Sequence, residues 1–353
     1  MERLLSESET LVADSARTLC RRVGQGARHR RAWRWRPPGF DRAVWAELAR
    51  AGWFGVLVPE ALGGMGEGTR SLVLLLEEAG RALLPEPAGA GIVAAALLAG
   101  AEDPGPLSGL LSGERVVVPA LRGGGGWPGA AAPRLSAGRL SGRVPLVHDA
   151  AGADAVLVAA VEDGAPVVLL VPRTGPGVAV EETALVNGGF AATLAFEGVV
   201  GVRLAAGHAA GALVERGRAL AALATAGECQ GVMDAAFAMT VDYLKQRRQF
   251  GQPVGAFQAL QHRAASLMVD IEVCRSLTFT AAEAGTVPLA AAARARAVEA
   301  ALRVTKACIQ LHGAIGFADE HDVGLYLRHA MALAGRGGPV VLDQRRFAAG
   351  LSW

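Results

Sequence analysis

Apolar positions along this chain change their spacing twice. Between Ser6 and about Leu111 they recur every three or four residues: Phe40, Val44 and Leu48 form one stripe, Trp45 and Ala49 lie beside it, and Ser71 to Leu84 gives a second periodic run. The stretch "VPEALGGMGEG" between them reads as a glycine-broken turn. From Gly113 to Ala206 the texture becomes short β-branched runs, "ERVVVPAL", "ADAVLVAAVEDGAPVVLLVP", "GVAVEE" and "ATLAFEGVVG", punctuated by Gly, Pro and Asp. The "EDG" between two valine-rich runs predicts a hairpin. From Gly211 the helical period returns. Leu260, Ala264, Leu267, Ile271 and Cys274 form an apolar seam suited to an antiparallel bundle. A further long helix is predicted from Pro288, a residue favoured at helix starts, to His312, with Gly313 as its stop. The chain thus reads as α+β, with a helical domain over residues 1–112, a small β-barrel or sandwich over 113–206 and a helical bundle over 207–353.

Composition narrows the function classes. With 52% hydrophobic and 19% charged residues, the 353-residue chain can bury a sizeable core. A net charge of +2 argues against a nucleic-acid binder, which needs a concentrated basic surface. The one basic cluster, "RRVGQGARHRRAWRWRPPGF", reads as a solvated surface segment. Apolar runs such as "GIVAAALLAGA" are too short to cross a bilayer, and the first twenty residues do not read as a signal peptide, so a cytoplasmic setting is expected. Cys20, Cys229, Cys274 and Cys308 are too far apart for a zinc set and are expected to be reduced and packed. His312, His321 and His329 match no metal-ligand spacing, and no metal site is expected.

Three stretches carry a resemblance. "FDRAVWAELARAGWFGVLVPEALGGMGEG", "YLKQRRQFGQPVGAFQALQHRAA" and "QLHGAIGFADEHDVGLYLRHA" occur in the order of three motifs of the acyl-CoA dehydrogenase family, and the chain is identified as a divergent member. The resemblance implies FAD as cofactor, an acyl-CoA substrate desaturated between Cα and Cβ, an electron-transfer acceptor, and a homo- or hetero-oligomer. It also implies that Arg247, Phe250, Gln258, Gln310, Gly313 and Ala314 clamp the adenosine–pyrophosphate end of a neighbouring subunit's flavin. The residue types suit that role, since a guanidinium pairs with pyrophosphate oxygens and an aromatic face packs on adenine. The plainer alternative makes Arg247 a helix C-terminal charge and Phe250 a core plug.

The chain also departs from the family pattern. Both positions that commonly carry the catalytic glutamate are blank, Gly337 or Gly338 at one and Ala221 at the other. The loop that orients the flavin ring is replaced by "PALRGGGGWPGAAAP", residues 119–133, which reads as degenerate, and His148 and Asp149 just beyond it read as turn residues. Glu228 is the remaining candidate base. It sits among Ala224, Thr225, Gly231 and Val232, where burial would raise its pKa toward that of a useful base. It could equally pair with Arg218 or Arg275 and merely join helices, while Asp234 is a weaker candidate. Two readings stay open: an active dehydrogenase with Glu228 as base, or a non-catalytic subunit that completes the flavin site of a longer homologue.

Overall fold

The computed structural model describes residues 5–24, 27–121 and 131–351. The first region holds α1 (Glu7–Gly24), α2 (Ala27–Trp33), α3 (Arg42–Arg50), α4 (Thr69–Arg81), α5 (Ala88–Leu98) and α6 (Leu107–Leu111). Helix α3 begins where the Asp41 carboxylate accepts from the Ala43 N–H at 2.8 Å. Its stripe of Val44, Trp45, Leu48 and Ala49 is buried, and Trp45 packs on Phe54 with ring centroids 4.1 Å apart. Helix α5 is apolar on every side because it lies inside, against the first region, the β region and the bundle at once.

The middle region is a mixed sheet of β1 (Val117–Ala120), β2 (Arg134–Ser136), β3 (Arg139–His148), β4 (Ala155–Glu162), β5 (Ala165–Pro172), β6 (Val178–Ala184), β7 (Phe190–Val199) and β8 (Val202–Ala206). The order is β6-β7-β3-β2-β4-β5-β8, with β1 parallel to β4. The predicted hairpin joins β4 to β5. Asp163 and Gly164 at its tip both have positive φ, 47° and 83°, as a two-residue turn that follows strand twist requires. Register shifts interrupt the pairing of β3 around Gly142 and after Val144, and the strand ends at His148, next to Asp149.

The last region begins with the 40-residue α7 (Gly207–Gln246). The two-residue strands β9 (Arg248–Gln249) and β10 (Gln252–Pro253) follow, then α8 (Gln258–Ala284), α9 (Val287–His312), α10 (Val323–Gly335) and α11 (Val340–Ala349). Helix α7 packs on α4, α5, α8, α9 and α10 and is the shaft of the molecule. Its approach to α4 is unusually close. A Cβ on Gly231 would lie 1.8 Å from the Glu77 carbonyl oxygen, and one on Gly80 would lie 2.1 Å from the carbonyl oxygen of Glu228. Small residues here let two backbones touch, which fixes the height of Glu228 along the shaft. Gly231→Ala is therefore expected to force the helices apart and cost about 1–3 kcal/mol, lowering the urea midpoint. An unchanged midpoint would show that the contact is not a constraint.

Candidate functional site

A cleft of about 130 Å³ opens between the end of β3, α5, α7 and the loop after α10. Ala221 and Gly337, the latter one of the two residues read at the other blank base position, line it. Sequence reasoning found the two vacancies separately; the structure places them on one cavity. Gly337 has φ +91°, and a Cβ there would lie 2.9 Å from the Nε of Arg294, so backbone and neighbour together disfavour a side chain. Residues 122–130, most of the glycine-rich loop, lie outside the described residues.

Glu228 does not behave as its sequence neighbours suggested. It is buried, but Arg336 Nη1 donates to its Oε2 at 2.6 Å and His329 Nε2 lies 2.8 Å from its Oε1. The partners are thus neither Arg218 nor Arg275. Arg218 bonds Glu215 and Arg275 bonds Asp234, which also pairs with Arg81 as a helix-joining carboxylate. His329 Nδ1 faces the Asn187 amide at 3.1 Å and Arg30 Nη2 at 3.4 Å, both donors, which places the imidazole proton on Nε2 and directs it at Glu228. Arg30 in turn donates to the Leu83 and Leu84 carbonyls at 3.1 and 3.2 Å. Burial alone would raise the Glu228 pKa, but the Arg336 charge and the His329 hydrogen bond outweigh it and hold it at about 2. Burial pushes His329 below the ordinary histidine value, so it stays neutral.

Asp149 joins this cluster and corrects its reading as a plain turn residue. It occupies a left-handed conformation, φ 66°, with its carboxylate 3.3 Å from Arg336 Nη2 at the wall of the cleft. Burial raises its pKa, and Arg336 only partly offsets that. The cluster therefore ties the first helical region (Arg30), the sheet (Asn187, Asp149) and the bundle (Glu228, His329, Arg336) at one point.

The six clamp positions lie elsewhere and face outward. Arg247 caps α7 and Gln258 opens α8, both exposed, and Arg247 has no side-chain partner among the described residues. Tyr243 stacks on His312 with ring centroids 4.6 Å apart, which brings the ends of α7 and α9 side by side and puts Gln310, Gly313 and Ala314 on the same patch, all exposed. Gly313 has φ +65° and nothing within 4 Å of where a Cβ would be, an open stretch of backbone. Phe250 is not a core plug. It is 91% exposed, and with Gly251 it forms the tip of the β9–β10 hairpin at φ 51° and 80°. An aromatic residue in the left-handed region is strained, and such strain gathers at functional positions. Phe257 supports the ring edge-on at 6.1 Å.

The outward patch suits the adenosine–pyrophosphate end of a flavin: a free guanidinium, two exposed amides, open glycine backbone and an exposed ring. The chain's own cleft does not suit the tricyclic end, since cofactor pockets run to roughly 300–1,000 Å³. Among the described residues no group of three or more potential metal ligands is present, and the four cysteines are free and buried. No described helix is long and apolar enough to cross a membrane.

Known proteins share this arrangement. Profiles of the acyl-CoA dehydrogenase N-terminal and C-terminal domains match residues 6–102 and 210–346. FadE34, an acyl-CoA dehydrogenase of Mycobacterium tuberculosis, is 36% identical over 308 residues; the match covers 85% of this chain but 40% of that protein, so this chain spans well under half the length of that relative. A chain of the Tcur3481-Tcur3483 steroid ACAD G363A variant superposes with a TM-score of 0.88 at 32% identity, over 97% of both chains. A chain of the ChsE4-ChsE5 complex from Mycobacterium tuberculosis superposes with a TM-score of 0.89 at 28% identity, over the full length of both. With its three motifs in order, two domain profiles matched and its whole length superposed on solved members, the chain belongs to the acyl-CoA dehydrogenase family.

Proposed function

We propose that this chain serves FAD-dependent α,β-desaturation of an acyl-CoA thioester as the lending subunit of a two-chain enzyme. Its outward patch completes a flavin site whose ring, substrate pocket and base belong to a homologous partner. One observation carries the reading: Phe250 is held strained and solvated beside open backbone, while both base positions of the chain's own cleft are blank. A free chain gains nothing from exposing that ring, whereas a docked flavin would cover it. The two-part names of the similar structures, Tcur3481-Tcur3483 and the ChsE4-ChsE5 complex, support a partner of a different sequence.

When bound, the flavin accepts the β-hydrogen as hydride. This chain's residues would do no proton transfer. Arg247 would neutralise pyrophosphate, Gln258 and Gln310 would hydrogen-bond it, Gly313 and Ala314 would let backbone approach, and Phe250 would cover adenine. The competing reading makes Glu228 the base of an active site in this chain. Against it stands the ion pair, because a carboxylate held near pKa 2 is poorly matched to a weakly acidic α-proton. Glu228 is better read as the counter-charge that holds Arg336 at the wall of the cleft.

Purified alone, the protein is expected to carry no flavin, and co-expressed with its partner homologue it should show one flavin per pair of chains by visible absorption. One flavin per chain when purified alone would overturn the lending role.

Phe250→Asn removes the ring and suits the left-handed turn, so thermal unfolding should hold or rise while flavin retention in the complex falls at least tenfold. Unaltered retention would remove Phe250 from the clamp.

Glu228→Gln removes the nearer of the two carboxylates that answer the partly buried Arg336 and should cost about 1–3 kcal/mol, measured by denaturation. A variant of full stability without turnover would favour the base reading instead. The pH dependence has a definite sign. The folded pKa of about 2 lies below the ordinary 4.5, so this stabilisation is full above pH 4.5 and is lost as pH falls toward 2, a loss of about 3 kcal/mol across that window.

A further inference from the structure

The cleft that does not suit a flavin ring holds an unbalanced charge. Asp343, buried on α11, bonds Arg294 through one oxygen and Arg346 through the other, at 3.1 Å for Arg346. Neither arginine has another carboxylate within 4 Å among the described residues. Two guanidinium groups thus share one anion, and all three side chains line the cleft. Elsewhere in the cleft each guanidinium has at least one carboxylate to itself: Arg336 faces two, Glu228 and Asp149, and Arg218 faces Glu215.

Arg294 is 2% exposed, and its Nε is buried with no acceptor, although its Nη2 donates to the Ala334, Arg336 and Gly338 carbonyls. A buried unpaired donor on a surplus positive charge is costly unless an anion answers it. The opposite wall is apolar, with Ala90, Val93, Val147 and Ala222. A cavity near 150 Å³ admits a benzene-sized body, so about 130 Å³ sets a guest of roughly six to eight heavy atoms.

We propose that this cleft is a binding site for a small apolar carboxylate, its charged end met by Arg346 and Arg294 and its hydrocarbon end laid on the wall of α5, β3 and α7. This ligand is neither the flavin nor the thioester being desaturated, and the site stands whether or not the outward patch lends itself to a partner. Arg346 is the accessible half of the pair, since it is only partly buried while Arg294 is enclosed. A guest carboxylate would restore one anion per guanidinium without displacing Asp343, and it would be bound in bidentate fashion, the geometry in which arginine discriminates most strongly.

Hexanoate and hexanol serve as matched probes, titrated calorimetrically into the protein in the complex in which it is purified. Hexanoate is expected to bind with a dissociation constant on the order of 1 mM or below, and hexanol at least tenfold more weakly. Equal binding of the two, or none of either, overturns the proposal. Arg346→Ala should reduce hexanoate binding at least tenfold while Asp343 keeps Arg294. Ala221→Leu, which fills the cleft without touching the ion pair, should abolish binding of both probes and supports the assignment if Arg346→Ala fails to fold. Undiminished hexanoate binding by either folded variant places the ligand elsewhere and overturns the site. Flavin content is read in the same samples. It should be unchanged by both variants, which separates failure of this site from failure of the lending role.

Discussion

The structure depends on one ion pair, between the buried carboxylate of Glu228 and the partly buried guanidinium of Arg336 at the wall of the cleft. Arg336 and Glu228 meet at 2.6 Å in the place where the first helical region, the sheet and the bundle converge. A buried pair earns little net stability against apolar residues of the same shape, because desolvation consumes most of the attraction. Breaking it is another matter, since the survivor keeps its desolvation cost and loses its partner. The consequence is positional. His329 answers Glu228 and Asp149 answers Arg336, while Asn187 and Arg30 hold the far nitrogen of His329, so the first helical region, the sheet and the bundle meet in one connected network. The close approach of α4 to α7 through Gly80 and Gly231 serves the same end by setting where along the shaft the carboxylate stands.

The same cluster explains why the cleft is a poor home for this family's usual chemistry. A base must release its proton's place when substrate arrives, and a carboxylate already answered by Arg336 and His329 has no such freedom. Asp149, whose pKa is raised by burial, is nearer to a base in character, but it is also tied to Arg336. At Gly337, Arg294 occupies the neighbouring space and the backbone has turned to positive φ, and the adjacent Gly338 likewise has positive φ.

Much of this was legible in the sequence. The change from helical to alternating period and back located all three regions, "EDG" gave the β4–β5 hairpin, and Gly313 stops α9 as expected. The exposed patch around Arg247, Phe250 and Gln258 was readable as a group because residues at a helix break stay close in the chain. Glu228 was legible as buried but not as paired. His329 and Arg336 lie more than a hundred residues away, on and just past another helix, and only the crossing of α10 on α7 brings them to it. A local stripe of small residues predicts burial, and hence a raised pKa; the sign reversed because long-range partners decide it. Asp149 was missed for the same reason. Its sequence neighbours say turn, and its significance comes from the cleft behind the turn.

The outward patch and the inward cleft answer to different constraints, and the proposed lending role rests on that separation. The clamp works at the surface, so its residues need only a rigid helix end, an open glycine and a strained hairpin tip to present a ring. None of these depends on what fills the cleft, because the patch stands at the far ends of α7 and α9, against Tyr243 and His312 rather than Glu228. A chain can therefore close its own cavity with ion pairs while the outward patch is left intact. The reverse loss would be different in kind. Under the proposed lending role, relaxing Phe250 into an ordinary turn would ease strain in this chain alone and withdraw its ring from the partner's flavin, so the strained, solvated ring is the feature of this fold that an assembly would account for.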